Sequence, residues 1–434
     1  MVTPPFRAGM IIMKLLIVQC AALGYDIPRK YPSLEAKTGL RFRQLTPVFP
    51  AVTCTAQGTI RTGLTPAEHG VICNGLYDRK SCRTSFWNQS AKLVNGKRIW
   101  EDRNIGKTAM IFHQQNLGEK VDFVVSPAPV HKHHGGMIMG CQTKPENLEQ
   151  KLVEHIGRPF SLSSYWGPLA SRKSTEWIVE ATIDIARSEY PDLLFTYLPH
   201  LDYCLQKYGP NDDAHVSPEV DFLADSLQKI LKAVRPDYDV IVWGDYAITS
   251  ATTVVYPNRE LKKAGFFSTR TVSGGLTYPN LYDSRAFAMC DHQVAHVYVQ
   301  NKNDLDAVKK LLSQLDGVDI VQTQQEANLD CPEAGDLVMT AKPNAWFAYQ
   351  WWDSPKEAPD YATHIDIHNK IGFDPCELFW GFPPFVSTST DCSKVKGTHG
   401  RNDQPAAFAT TQQLVDFQIP TTHIELAQLI KNSL

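Results

Sequence analysis

Five stretches of the chain place hydroxyl, carboxylate or imidazole groups just where an apolar run gives out. The first is Pro47-Val-Phe-Pro-Ala-Val-Thr53-Cys-Thr-Ala-Gln-Gly-Thr-Ile-Arg-Thr62-Gly-Leu. An extended, proline-containing segment ends at Thr53, and Cys54–Arg61 can be helical, so Thr53 is expected at a helix N-terminus. Free backbone N–H groups and the helix dipole there suit a phosphate or an ionised oxygen, although the same position also suits a plain N-cap. The second stretch, Tyr197-Leu-Pro-His200-Leu-Asp202-Tyr203, follows an apolar run, and its His and Asp could share a metal. The third, Trp243-Gly-Asp245-Tyr246, puts a carboxylate at another strand exit, where a turn or cap role is the plainer reading. In the fourth, His364-Ile-Asp366-Ile-His368, an extended backbone would point all three polar side chains one way, as ligands or as a half-exposed strand face. In the fifth, Lys396-Gly-Thr-His399-Gly400, glycines could bring a histidine close to a compact site.

Such groups need a scaffold, and the pattern of the chain supplies one. Lys14-Leu-Leu-Ile-Val-Gln19 reads as a first core strand, and Leu193–Leu198 and Asp239–Trp243 as buried parallel strands. A helix is expected near Thr175–Ser188. Another is expected after Ser217, with Pro218 at its first position and a stripe through Val220, Leu223, Leu227, Ile230 and Val234. Asn303 is placed as the cap of a helix that follows the strand Val294–Val299. Thr422 and Glu425 are placed as a capping box before Leu426. Alternating strands and helices imply a mostly parallel sheet covered on both faces, with chemistry beyond the carboxyl ends of its strands.

The 434 residues allow two domains or one large α/β domain with insertions. A net charge of −3 offers no bulk attraction to nucleic acid polymers or acidic membranes, and no apolar run is long enough to span a bilayer. The N-terminal segment lacks a separate apolar core and cleavage site. It is read as an extension ahead of a start at Met13 rather than a signal peptide. Ten scattered cysteines without a CxxC pair read as reduced core thiols and predict the cytosol.

Taken in order, these stretches resemble the type I phosphodiesterase/nucleotide pyrophosphatase branch of the alkaline phosphatase superfamily, from about Lys14 to Leu434. Thr53 precedes Thr62-Gly-Leu-Thr-Pro-Ala-Glu-His69-Gly, which is similar to the family's "TGLYPESHGI". Further stretches resemble a divergent bacterial subgroup: Asp291-His-Gln-Val-Ala-His296 and Asp366-Ile-His-Asn-Lys-Ile-Gly-Phe-Asp374. The resemblance implies a three-layer α/β core, residues 13–255 and 385–434, with a mostly parallel central sheet and an inserted α+β cap, residues 256–384. It implies a covalent phosphoric ester hydrolase acting on a small-molecule phosphate ester. Thr53 would be the nucleophile, Asn74 and the Cys54 N–H would hold the developing charge, and Asp202, Asp245 and His399 would be metal ligands. One or two divalent ions follow, zinc by default and manganese as a second choice. Three of the usual ligands are replaced, by Ala21, Gln206 and Tyr246. His200, Asp366 and His368 are the substitutes to consider, together with the extra His and Asp residues of 291–296. An impaired phosphate- or nucleotide-binding homologue, and a phosphomutase or sulfatase reaction, stay open beside hydrolysis. The segment Arg83–Glu101, with Trp87, is a candidate wall of the substrate side. The aromatic run Trp346–Trp352 suits either ligand stacking or core packing.

Overall fold

The computed structural model describes residues 14–133 and 137–434. The N-terminal extension and the start expected at Met13 lie outside the described residues. The strands of the main sheet are β1 (Lys14–Cys20), β2 (Arg43–Leu45), β3 (Thr108–Ile111), β4 (Phe123–Pro127), β5 (Cys141–Lys144), β6 (Leu193–Leu198) and β7 (Tyr238–Gly244). A smaller sheet holds β8 (Ala286–Asp291), β9 (Val294–Val299), β10 (Val318–Thr323) and β11 (Leu337–Ala341), and β12 (Ala406–Thr410) returns to the main sheet. The main order is β2-β12-β7-β1-β6-β3-β4-β5. β7, β1, β6, β3 and β4 run parallel, whereas β12 and β5 are antiparallel to their neighbours.

The unbroken apolar character of β1 follows from cover on both faces. Leu16 and Val18 pack with Ile178 and Ile185 of the helix Arg172–Ser188 and with Leu223 and Leu227 of a 22-residue helix, Asp213–Val234. Leu15 and Ile17 face the other way. They meet Ala56 and Ile60 of the helix Thr53–Thr62, and Leu426 and Ile430 of the C-terminal helix His423–Ser433. The register sets Cys20 opposite both Leu198 and Gly244, so the chain leaves β1, β6 and β7 at one level. Gly244 is needed at that exit, because a Cβ there would lie 2.1 Å from the Leu23 carbonyl oxygen.

In the smaller sheet, ordered β8-β9-β11-β10, every pairing is antiparallel. The helix Leu305–Ser313 carries the chain from β9 to β10, so the β-α-β unit is split by β11. Its apolar cluster also takes in Ile72, Tyr77 and Phe86. Trp351 and Trp352 pack edge to face at 5.0 Å, and Trp351 donates to Thr277 Oγ1, so the aromatic run is core.

Local signals shifted in three places. The 22-residue helix starts five residues before Pro218, because Asp212 caps it by accepting from the His215 N–H. Asn301, not Asn303, caps the single turn that leads into Leu305–Ser313. Thr422 does accept from Glu425 N, but the Glu425 carboxylate reaches back to Thr421 N at 2.7 Å instead of completing the box.

Lys370, 2% exposed, contacts Asp374 at 2.7 Å and Glu377 at 2.6 Å and ties down the segment 364–377. Lys370→Met would leave two buried carboxylates facing each other. It is expected to cost ~3–5 kcal/mol, the range for breaking a buried ion pair, read as a lower urea midpoint. A change within ~1 kcal/mol would mean that the carboxylates are already neutral in the fold.

Candidate active site

A cavity of about 840 Å³ lies over the ends of β1, β6 and β7. Thr53 is in its wall at the first position of its helix. Val52, in extended conformation, takes the N-cap place, so the threonine hydroxyl is not used as a cap. Instead Thr53 Oγ1 donates to Asp245 Oδ2 at 3.3 Å and lies 3.4 Å from the Tyr246 hydroxyl.

Asp245 follows β7 directly and is fully buried. Its Oδ1 accepts from the N–H groups of Ala22 and Tyr246, at 2.9 and 3.1 Å. Its Oδ2 accepts from Gln19 Nε2 at 2.8 Å as well as from Thr53. Ala22 reaches this position with φ +58°, a left-handed conformation unusual for a residue with a side chain. Burial outweighs these donors and pushes the Asp245 carboxyl up to about 7. Asp202, in the first turn of the helix His200–Tyr208, accepts from the Tyr246 hydroxyl at 3.1 Å and from Gln206 Nε2 at 2.7 Å. Burial raises it to about 6.

His399 is carried in by the pairing of Gly397–Thr398 with Thr249–Ser250, and the chain turns away at Gly400 with φ +127°. Its Nδ1 donates to the Ala51 carbonyl at 2.9 Å, which leaves Nε2 unprotonated. Its ring stacks on Tyr246 at 3.5 Å and lies 3.7 Å from the His292 ring. Burial lowers its pKa to about 3, so the imidazole is neutral. Thr53, Asp202, Asp245 and His399 therefore converge around the Tyr246 side chain.

Asn74 Oδ1 accepts from the Cys54 N–H at 3.0 Å. Asp291 clamps Asn74 from behind, accepting from its backbone N at 2.8 Å and its Nδ2 at 3.2 Å. The Cys54 N–H expected to face an oxyanion is thus engaged within the protein. Trp87, Ser85, Asn88 and Gln89, from the segment 83–101, line the cavity.

Two expectations fail on local geometry. His200 and Asp202 are two apart on a helix, about 200° around its axis, so they cannot face one point. His200 Nδ1 lies 3.0 Å from Thr175 Oγ1 and Nε2 3.1 Å from the Glu219 carbonyl, away from the cavity. The 364–368 stretch is not extended: a 3₁₀ turn, Asp360–Thr363, leads into bends. His364 Nδ1 donates to the Asp360 carbonyl, His368 Nδ1 to the Phe86 carbonyl, and Asp366 accepts from Asn369 N and Nδ2. These three residues line the cavity but do not share a point. Among the described residues, no group of three or more His, Cys, Asp or Glu side chains could hold a metal ion.

Gln19, Gln57, Asp291 and His292 escaped notice as individual site residues. Gln57 Nε2 donates to Gln19 Oε1 at 2.8 Å and so aims the Gln19 amide at Asp245. A glutamine inside the buried run Leu-Leu-Ile-Val-Gln-Cys was the available signal, since a buried polar group must find partners.

Among the described residues, no helix is long and apolar enough to cross a membrane. The model of the type I phosphodiesterase / nucleotide pyrophosphatase family matches residues 29–374. An uncharacterized pyrophosphatase/phosphodiesterase of Schizosaccharomyces pombe is 25% identical over 187 residues, which are 43% of this chain and 32% of that protein. The match thus spans about a third of that relative's length. Phosphonoacetate hydrolase from Sinorhizobium meliloti 1021, solved with phosphonoacetate, superposes with a TM-score of 0.62 at 15% identity, covering 98% of this chain and 97% of that one. Murine ectonucleotide pyrophosphatase/phosphodiesterase 5, solved as an inactive form with AMP, gives 0.59 at 15% identity, covering 97% and 94%. These likenesses show the fold, an alkaline-phosphatase-like α/β architecture. With the family model matched over most of its length, the chain belongs to the type I phosphodiesterase/nucleotide pyrophosphatase family.

Proposed function

We propose that the chain hydrolyses small phosphoric esters, diesters in preference to monoesters, with Thr53 as nucleophile. The observation that carries this reading is the hydrogen bond from Thr53 Oγ1 to Asp245 Oδ2, on a helix N-terminus that faces the cavity. Family membership supports it, and two neighbours of the same fold were solved with a phosphonate and with AMP. In the first step Thr53 Oγ bonds to phosphorus, its proton passes to Asp245 Oδ2, and the ester oxygen leaves and is protonated by water. The hydroxide so formed attacks the phosphothreonyl ester. Thr53 Oγ then departs and recovers its proton from Asp245. Asn74 keeps one Nδ2–H beyond its bond to Asp291 and can meet a phosphoryl oxygen.

The diester preference follows from charge. Among the described residues no lysine or arginine lines the cavity, while Asp202 lies in its wall and Asp245 just behind Thr53. A monoanionic diester meets less repulsion there than a dianionic monoester. The one or two cations implied by the resemblance do not fit the donors present, so no step is routed through them. The division into a core, 13–255 with 385–434, and a cap, 256–384, belongs to the same reading. Cap residues His292 and Phe373 help line the cavity.

At pH 7, bis-p-nitrophenyl phosphate is expected to be cleaved with a kcat/KM ~10-fold or more above that of p-nitrophenyl phosphate. A monoester preference would overturn the charge argument. Phosphate-ester binding without turnover is the second reading, favoured by the engagement of the Cys54 N–H with Asn74. Saturable AMP binding by calorimetry with neither nitrophenyl ester cleaved would select it.

A further inference from the structure

We infer that this site does not hold the one or two metal ions the family resemblance implies, because hydrogen-bond donors of Tyr246, Gln206 and Gln19 stand in their place. The inference rests on the proposed function only for the location of the site.

Each ligand oxygen or ligand position can be followed in turn. Asp245 has two donors on each oxygen: Ala22 N and Tyr246 N on Oδ1, and Gln19 Nε2 and Thr53 Oγ1 on Oδ2. That fills both lone pairs of both atoms. Asp202 has the Tyr246 hydroxyl on one oxygen and the Gln206 amide on the other. Gln206 stands where the family carries an imidazole, yet it turns an N–H₂ donor, not an acceptor, toward the carboxylate. The Tyr246 phenol lies between Asp202 Oδ1 and Thr53 Oγ1, at 3.1 and 3.4 Å, the gap that a cation joining carboxylate and nucleophile would fill. Ala21 offers only a methyl group. Of the implied ligands, Asp202 and His399 alone keep an uncommitted lone pair, two donors against the three protein ligands of a catalytic zinc site; the unpartnered Gln206 Oε1 adds only a neutral amide oxygen.

The substitutes do not repair the deficit: His292 lines the cavity 3.7 Å from the His399 ring, but among the described residues no three His, Cys, Asp or Glu side chains could hold an ion together. His200 and His296 have both ring nitrogens engaged, the latter with the Ile72 carbonyl and the Gly335 N–H. Asp291 is committed to Asn74, and Asp366 to Asn369. Neutral donors can do part of a cation's work here: they hold the carboxylates in place, with the Tyr246 hydroxyl donating to Asp202 while its oxygen lies beside that of Thr53.

The test is metal content, independent of turnover. The full chain, equilibrated with excess Zn²⁺ or Mn²⁺ and desalted, is expected to retain far less than one ion per molecule by plasma mass spectrometry. The triple variant A21D/Q206H/Y246H, which rebuilds the implied ligands, is expected to gain at least one. Should that variant fail to fold, Q206H alone, which restores an imidazole beside Asp202 and His399, is expected to show the gain. Retention of about one ion or more by the wild-type chain, abolished by Asp202→Asn, would overturn the inference. So would hydrolysis that EDTA removes and Zn²⁺ restores. An inactive chain that takes up no metal would sink the hydrolase reading and leave this one standing.

Discussion

Thr53→Ala is expected to lower kcat/KM for bis-p-nitrophenyl phosphate by ~10³-fold or more, the scale on which nucleophile removal acts in covalent hydrolases. The effect should fall on kcat, because the hydroxyl makes a bond only in the reacting complex. The fold has little reason to respond. Thr53 Oγ1 gives only two long contacts, at 3.3 and 3.4 Å, and Asp245 keeps Ala22 N, Tyr246 N and Gln19 Nε2. A stability change of no more than ~1 kcal/mol is expected. Thr53→Ser keeps the oxygen and is expected to retain measurable turnover. In wild-type chain quenched with acid during turnover, mass spectrometry should find the phosphoryl adduct on the peptide that contains Thr53. Full activity in Thr53→Ala, or an adduct on another residue, would refute the covalent route.

Acidification is the second large effect. Seven imidazoles, of His69, His113, His200, His292, His296, His399 and His423, are buried, and burial holds each of them neutral far below the usual range. His69 and His399 fall to about 3, and His200, His296 and His423 to about 4. The unfolded chain protonates them near pH 6.5, so between there and about pH 4 it binds more protons than the fold, and stability is lost as the pH drops. Asp202, Asp245 and Asp291 act in the opposite sense. Burial raises them to about 6, 7 and 7, so the fold keeps their protons where the unfolded chain has released them. Burial raises Asp26, Glu219 and Glu377 as well, so seven imidazoles stand against at least three carboxyls and the excess of protons in the unfolded state is at most four. Each contributes ~1.4 kcal/mol per pH unit, giving a slope of at most roughly 6 kcal/mol per unit. A domain stable by ~5–15 kcal/mol is therefore expected to unfold between pH 6 and 4. Urea midpoints at pH 7.5, 6 and 5 should fall steadily, and a midpoint that is flat or rises over that range would contradict the balance.

How far the site was legible depended on how local its geometry is. Thr53, Asp202 and Asp245 each follow an element whose end can be read from a run of apolar residues, and His399 lies in a glycine-flanked stretch. Thr53, Asp202 and His399 reach the cavity wall, with Asp245 just behind Thr53. His200 was misplaced because two residues apart means the same face on a strand but nearly opposite faces on a helix. The 364–368 stretch was misplaced because Asp366 finds its donor three residues on, at Asn369, and this local bond competes with an extended backbone. Tyr246 and Gln206 registered only as departures from a ligand pattern. Their role as donors became visible once three chain segments met.

From the sequence alone came the α/β class, the burial of β1, β6 and β7, and the helix N-terminus at Thr53, because periodicity and capping act over a few residues. Only the tertiary structure decided what those residues touch. Thr53 and Asp245 lie 192 positions apart, Asn74 and Asp291 217. Whether a carboxylate at such a site faces a cation or a phenol depends on donors brought in across the sheet. No local propensity encodes that choice, which is settled by the need to satisfy every buried polar atom at once.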